Sequence, residues 1–398
     1  MPEPTFEIVE RKGRGHPDTL ADALAEHLSV EYSKWTEKTF GAILHHNFDK
    51  VGILGGASSV RFGKGSLVAP IKILLNGRAS SRFGDRAISL ATLLPNWAKE
   101  FMVSEFPVLD GDRDLVVQNN ISTQSSPGKT QETNAREGTR QNWFTPRGLE
   151  DLQERTILLS NDTSLGVGYA PMSRLEQSVL DVEAALSTPG FRRANPWIGS
   201  DMKIMAYRKF SSLHLTMCIP QIADHVPSER VYRDNLAAAQ AVIEKLLGKR
   251  GYSSLEISLN TRDNFAASEL YLTAIGSSIE SGDEGLVGRG NRINGLITPM
   301  RPMSMEGACG KNPVYHIGKL YYVLSDRIAK RLHGQLGIRS EVATVSQSGR
   351  LLRDPWQVVV KVPMEIHDTK DVQEIVEQEV LGVSKITALL LAREITLY

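Results

Sequence analysis

Apolar residues recur at helical spacing in several stretches of the chain. Leu20, Leu24, Leu28 and Trp35 fall near one face of a segment over 20–35, and Asp18 just ahead of it is the expected N-cap. Ser173 and Glu176 have the spacing of a capping box, Leu175, Val179, Val182 and Leu186 continue it as an apolar stripe, and Gly190 and Pro196 are the expected stop. Further helices are predicted at about 231–248, 313–333 and 372–392. Strand-like runs lie at 50–54, 67–75, 114–118, 203–207, 213–218, 255–259, 270–275, 341–345 and 357–362, where Pro363 closes the last. Several strands follow each other directly, so the expectation is an α+β (mixed α/β) chain with mixed sheets covered by helices, not a doubly wound parallel sheet.

Composition narrows the class. The 398 residues carry 46 basic and 46 acidic side chains and are 41% hydrophobic, as in a soluble globular protein long enough to bury a sizeable core. Zero formal charge argues against a nucleic-acid partner bound through whole-protein electrostatics. No membrane partner is expected. Cys218 and Cys309 cannot make a disulfide framework, and the N-terminus has neither a basic n-region nor an apolar h-region, so a cytoplasmic location is expected.

Residues 119–148 stand apart as a long polar loop or lid, nearly free of apolar side chains except Ile121, Trp143 and Phe144, and carrying Lys129, Arg136, Arg140 and Arg147. Three glycine-flanked segments hold the candidate chemistry. In the first, 13–18 (GRGHPD), the glycines admit close backbone approach, the following helix start favours an anion, His16 and Arg14 add donors, and Asp18 is a hard oxygen ligand; a plain turn is the alternative. In the second, 161–171, two glycines follow Asp162, which could serve a metal or an amine, with an Asx-turn as the alternative. The third, 276–319, interleaves seven of its glycines with Asp283, Arg289, Asn291, Arg292, Arg301, Lys311, His316 and Lys319, which suits a polyphosphate cradle with one acid for a metal. Gly128 and Lys129 end a stretch like a P-loop, but Thr123 stands where its leading glycine belongs. Zinc-ligand spacing and a nucleophile elbow are absent, and the polar knot of His45, His46, Asn47, Asp49 and Lys50 stays open.

Taken together, 10–18 (ERKGRGHPD), 45–50 (HHNFDK), 161–171 (NDTSLGVGYAP), 201–208 (DMKIMAYR), 282–302 (GDEGLVGRGNRINGLITPMRP) and 304–321 (SMEGACGKNPVYHIGKLY) resemble the archaeal-type S-adenosylmethionine synthetases. The resemblance implies three similar, interleaved subdomains with pseudo-three-fold symmetry in one unit over 1–398, and a homodimer with active sites at the subunit interface. It implies attack of the L-methionine sulfur on C5′ of ATP, with release of triphosphate and its hydrolysis to phosphate and pyrophosphate. By the same resemblance Asp18 and Asp283 hold Mg²⁺, and K⁺ is a second expected cation. His16, Lys203, Arg289 and Lys311 contact the triphosphate, Asp162 sits by the methionine or adenosine portion, and Arg292, His316, Lys319, Gly128 and Lys129 join the substrate-binding set.

The chain departs from that family's pattern at Phe48, Ala57, Tyr315 and the 123–128 stretch (TQSSPG). The expectation is that the triphosphate and metal machinery is retained while the acceptor side or the lid is modified, as in a pathway-dedicated paralogue. Two alternatives remain open: an adenosyltransferase with another sulfur acceptor, and a catalytically silent regulatory subunit.

Overall fold

A computed structural model describes residues 4–124, 142–152, 156–363 and 369–398. Its main helices are α1 (Pro17–Phe40), α2 (Leu90–Glu105), α3 (Arg174–Ser187), α4 (Pro189–Ala194), α5 (Glu229–Leu247), α6 (Ile317–Leu336), α7 (Lys370–Leu381) and α8 (Lys385–Leu391). Three sheets are built from β1 (Phe6–Lys12), β2 (Gly52–Leu54), β3 (Ile71–Leu75), β4 (Leu115–Asn119), β5 (Leu165–Ala170), β6 (Lys203–Lys209), β7 (Ser212–Cys218), β8 (Ser254–Leu259), β9 (Glu284–Leu286), β10 (Ser340–Val345) and β11 (Gln357–Lys361).

The strand orders are β1-β6-β7-β8, β4-β3-β2-β9 and β5-β10-β11. Parallel and antiparallel neighbours occur together: β3 pairs β4 parallel and β2 antiparallel. Each sheet has its own apolar core. The first packs against α3 and α5 through Val179, Ile204 and Ile243, the second against α1 and α2 through Leu24, Ile73 and Met102, and the third against α6 to α8 through Leu324, Val342 and Ile386. The units are interleaved in sequence, because β1 joins the strands of 203–259 while α1, which follows it directly, covers the second sheet. The mixed α/β expectation holds.

Local chemistry explains where the elements start and stop. The capping box at Ser173 is present, with Glu176 bonding back to the cap. The N-cap of α1 is His16 and not Asp18: Pro17 occupies the first helical position, where its missing N–H is not needed, so the helix begins ahead of its apolar stripe. Asp18 thereby keeps its carboxylate away from the cap. The stop after α3 also differs, since Thr188 caps a further short helix that begins at Pro189. The 67–75 run is two strands divided at Pro70, which has no N–H to give a ladder, and the 372–392 helix is broken at Gly382. The 270–275 run keeps only Leu272–Thr273 as strand before the chain turns at Gly276, whose φ is 89°. Among the described residues no helix is long and apolar enough to cross a membrane.

Candidate functional site

The start of α1 is the point where the predicted residues meet. β1 ends at Lys12 opposite Lys203 of β6, and the chain then folds back through Gly13 and Gly15, whose N–H groups bond the carbonyls of Met202 and Ser200. A side chain at position 15 would collide with Ser200 and Asp201, so glycine is required there. The turn sets His16 and Asp18 beside β6. From the other side β9 approaches α1 so closely that any side chain at Gly285 would overlap the Pro17 carbonyl. The Leu286 N–H consequently reaches Asp18 Oδ1 at 3.0 Å, three residues beyond Asp283 on the same segment.

The segments that carry His16, Asp18, Lys203, Asp283 and Arg289 therefore meet at one helix N-terminus, a place that favours an anion. Asp18 Oδ2 lies 2.8 Å from Lys12 Nζ, which also donates to the Arg289 carbonyl at 2.7 Å. Burial pulls the His16 pKa down, Asp201 and Asp18 oppose the shift, and Lys12 and Lys203 reinforce it. Ser278 Oγ bridges Asp201 Oδ2 at 2.5 Å and Asp283 Oδ2 at 3.0 Å. Burial pushes the Asp201 carboxyl up. Tyr271 donates to it at 3.1 Å and, with Cys218, Asn260 and Arg262, lines an adjoining cavity of about 360 Å³.

A second group lies further along α1. Lys311 is buried and paired with Glu306, and burial takes its pKa down to about 8, with Asp49 and Asp162 acting against Lys50 and Lys319. His316 caps α6 and is held well below its usual pKa by burial and then by Lys311 and Lys319. Lys319 is fully buried on Glu26. Asp162 is exposed, its Oδ1 accepting the N–H of the adjacent Thr163. Beside this group Asn47, Asp49, Lys50, Arg78, Ser122 and Gln124 line a cavity of about 470 Å³. The polar knot at 45–50 thus finds its place.

Arg292 binds backbone: its guanidinium donates to the carbonyls of Gly288, Gly290 and Ser304. Gly128 and Lys129 lie outside the described residues, as does most of the 119–148 loop. At the end of that loop Trp143 stacks on His45 with centroids 4.5 Å apart, and the His45 Nδ1 lies 2.8 Å from the Tyr315 hydroxyl, so Tyr315 ties the end of the loop to the lysine group. Phe48 is core, packed on Tyr32 and His46.

Sequence reasoning passed over Lys12, Asp22, Glu26, Asp201 and Ser278. Asp22 and Glu26 had a signal, because Asp18, Asp22 and Glu26 recur every four residues and so share a face of the helix. Along that face the acids hold backbone of the glycine-rich segment: Asp18 takes Leu286, Asp22 takes Gly288 and Gly290, and Glu26 takes Gly310.

The profile of the family described as S-adenosylmethionine synthetase (AdoMet synthetase) matches residues 1–141 and 145–394. The S-adenosylmethionine synthase of Hyperthermus butylicus is 36% identical, covering 100% of this chain and 96% of the relative. That of Pyrobaculum aerophilum is 38% identical over 98% of this chain and 96% of its own length. The solved structure of an unusual S-adenosylmethionine synthetase from Campylobacter jejuni superposes with a TM-score of 0.60 at 14% identity, covering 98% of this chain and 93% of that one, a likeness of fold.

Proposed function

The chain belongs to the S-adenosylmethionine synthetase family, and on that premise we propose how its residues make S-adenosylmethionine from ATP and L-methionine. The observation that carries the reading is the convergence of the segments bearing His16, Asp18, Lys203, Asp283 and Arg289 on the N-terminus of α1. The methionine thioether attacks C5′, the C5′–O bond breaks with its electron pair leaving on the triphosphate, and a sulfonium forms. A thioether has no proton to lose, so a general base would add nothing. The enzyme's work is alignment and stabilisation of charge on the leaving group. Lys203 and Arg289 meet that charge directly, and His16 takes up a proton as the anion enters. The released triphosphate is then cleaved by water in the same cradle.

A divalent cation, Mg²⁺ in this reading, would be held by Asp18 and Asp283 and would neutralise charge on the triphosphate when bound. The donor set fits. Both acids offer hard oxygens, and the Leu286 N–H bond to Asp18 brings the segment of Asp283 to the start of α1. Mg²⁺ suits such a site because it keeps several waters and takes one or two carboxylates together with phosphate oxygens. The cavity at Tyr271, next to Asp201, is the place for the nucleoside. Lys311, His316 and Asp162 form a second polar group, two of them buried and Asp162 exposed, which we assign to the site completed by a partner subunit in a homodimer. In support, the first sheet leaves Phe6, Met205 and Tyr207 exposed on its uncovered face. We read the three sheet-and-helix units as the three subdomains and the cytoplasm as the compartment.

Incubation with ATP, Mg²⁺ and methionine, with a control lacking methionine, tests the reading by mass spectrometry. Methionine-dependent S-adenosylmethionine, phosphate and pyrophosphate are expected; ATP consumption without that product would refute it. Nothing observed favours another acceptor or a silent subunit.

A further inference from the structure

Arg289 sits between two glycines, and such a turn has no side chains of its own to hold it still. The backbone around it is nonetheless fully bonded. Asp22 Oδ1 accepts from the Gly288 N–H at 2.8 Å and Oδ2 from the Gly290 N–H at 3.2 Å. Arg292 Nη2 donates to the Gly288 and Gly290 carbonyls at 2.6 and 3.0 Å, Lys12 Nζ donates to the Arg289 carbonyl at 2.7 Å, and the Arg289 N–H reaches the Leu286 carbonyl at 3.2 Å. Asn291 closes the far end by bonding both polar backbone groups of Lys12. Every backbone N–H and C=O from Gly288 to Gly290 thus has a protein partner.

We propose that Asp22 is a positioning residue for the reaction, fixing the Gly288–Gly290 backbone and through it the placement of Arg289. Asp22 touches no expected substrate atom. It is 3% exposed, and burial raises its pKa to about 7, against the pull of its two N–H donors and Arg292. An apolar side chain in its place would leave the Gly288 and Gly290 N–H groups without an acceptor. The two carboxylate oxygens do what an apolar group cannot: they hold two amides on either side of one arginine. The proposal rests on the reading of Arg289 as a triphosphate contact.

A double-mutant cycle on the full-length enzyme tests it, with kcat and KM for ATP measured for Asp22→Asn, Arg289→Ala and the double variant. Asparagine keeps the shape of Asp22 but only one acceptor oxygen. Asp22→Asn is expected to lower kcat about tenfold, through the displacement of Arg289 that follows loss of one backbone hydrogen bond, with KM for ATP changed less than about twofold. In the Arg289→Ala background the same substitution should change kcat by less than about twofold. An equal loss in both backgrounds would overturn the positioning role and leave the Arg289 reading intact. A fully active Arg289→Ala enzyme would overturn both. Should Asp22→Asn not fold, Asp22→Glu, which keeps both oxygens but displaces them by a methylene, takes its place in the cycle with the same expected pattern.

Discussion

Lys319 Nζ lies 2.8 and 2.6 Å from the two carboxylate oxygens of Glu26, and the lysine has no exposed surface. The pair locks α6 to the middle of α1, at the level where Glu26 also accepts the Gly310 N–H. Removing one partner of a buried pair leaves the other charge uncompensated. Glu26→Gln is therefore expected to destabilise the fold by about 3–5 kcal/mol, whereas the matched apolar replacement Glu26→Leu with Lys319→Met should recover most of it. Denaturant unfolding of the single and double variants measures both. A Glu26→Gln variant as stable as the parent would show the pair to be energetically idle.

Lys203 is half exposed beside Glu10, at the edge of the α1 cradle. Its ammonium is assigned to charge that develops as triphosphate departs, and such an interaction acts on turnover more than on binding. Lys203→Ala should lower kcat by about 10²–10³ while the ATP dissociation constant stays within a few-fold. A variant that lost only affinity would place Lys203 in ground-state binding.

Asp283 is exposed, and its hydrogen bonds are local, to Ser278 Oγ and the Glu284 N–H. Asp283→Asn exchanges a charged hard oxygen for a neutral one and should raise the Mg²⁺ concentration for half-maximal rate roughly tenfold or more. An unchanged Mg²⁺ titration would put the cation elsewhere.

Lys311 gives a pH dependence with a definite sign. Burial holds its folded-state pKa at about 8, below the unfolded value of about 10.4. Between those values the unfolded chain binds the extra proton, so this group makes the fold more stable as pH rises from about 8 to 10. Its effect on phosphate binding runs the other way, because the cation is lost above pH 8. ATP affinity measured by calorimetry, over a range where ATP itself is fully ionised, should weaken above pH 8. Lys311→Arg, whose guanidinium stays charged, should lack that limb. Parallel profiles for the two proteins would remove Lys311 from the binding surface.

Much of the architecture could be read from side-chain pattern, and the failures have physical causes. The capping box at Ser173 and the alternation of β6 are local signals and survive folding unchanged. The helix Leu90–Glu105 went unread although Leu90, Leu94, Ala98, Phe101 and Met102 make an apolar face, because Pro95 lies inside it. β5 was hidden for another reason. Its Gly166 and Gly168 are there so that α6 can approach, and their lack of side chains erases the strand pattern. At the site, residue type revealed His16, Asp18, Asp283 and Arg289 because each sits in a glycine-flanked segment. Lys12, Asp22, Glu26 and Asp201 act through partners that are distant in sequence, such as Asp22 with Gly288, and only the fold brings those together.

In the reaction proposed above the bond breaks between C5′ and oxygen, with the triphosphate leaving whole. ATP carrying ¹⁸O at the bridging 5′ position decides it in one measurement. Attack at C5′ sends the bridging oxygen away with the triphosphate, so all label should appear in phosphate and pyrophosphate and none in the adenosyl product. Label retained in a nucleotide product would mean cleavage at phosphorus and would rule out attack at C5′.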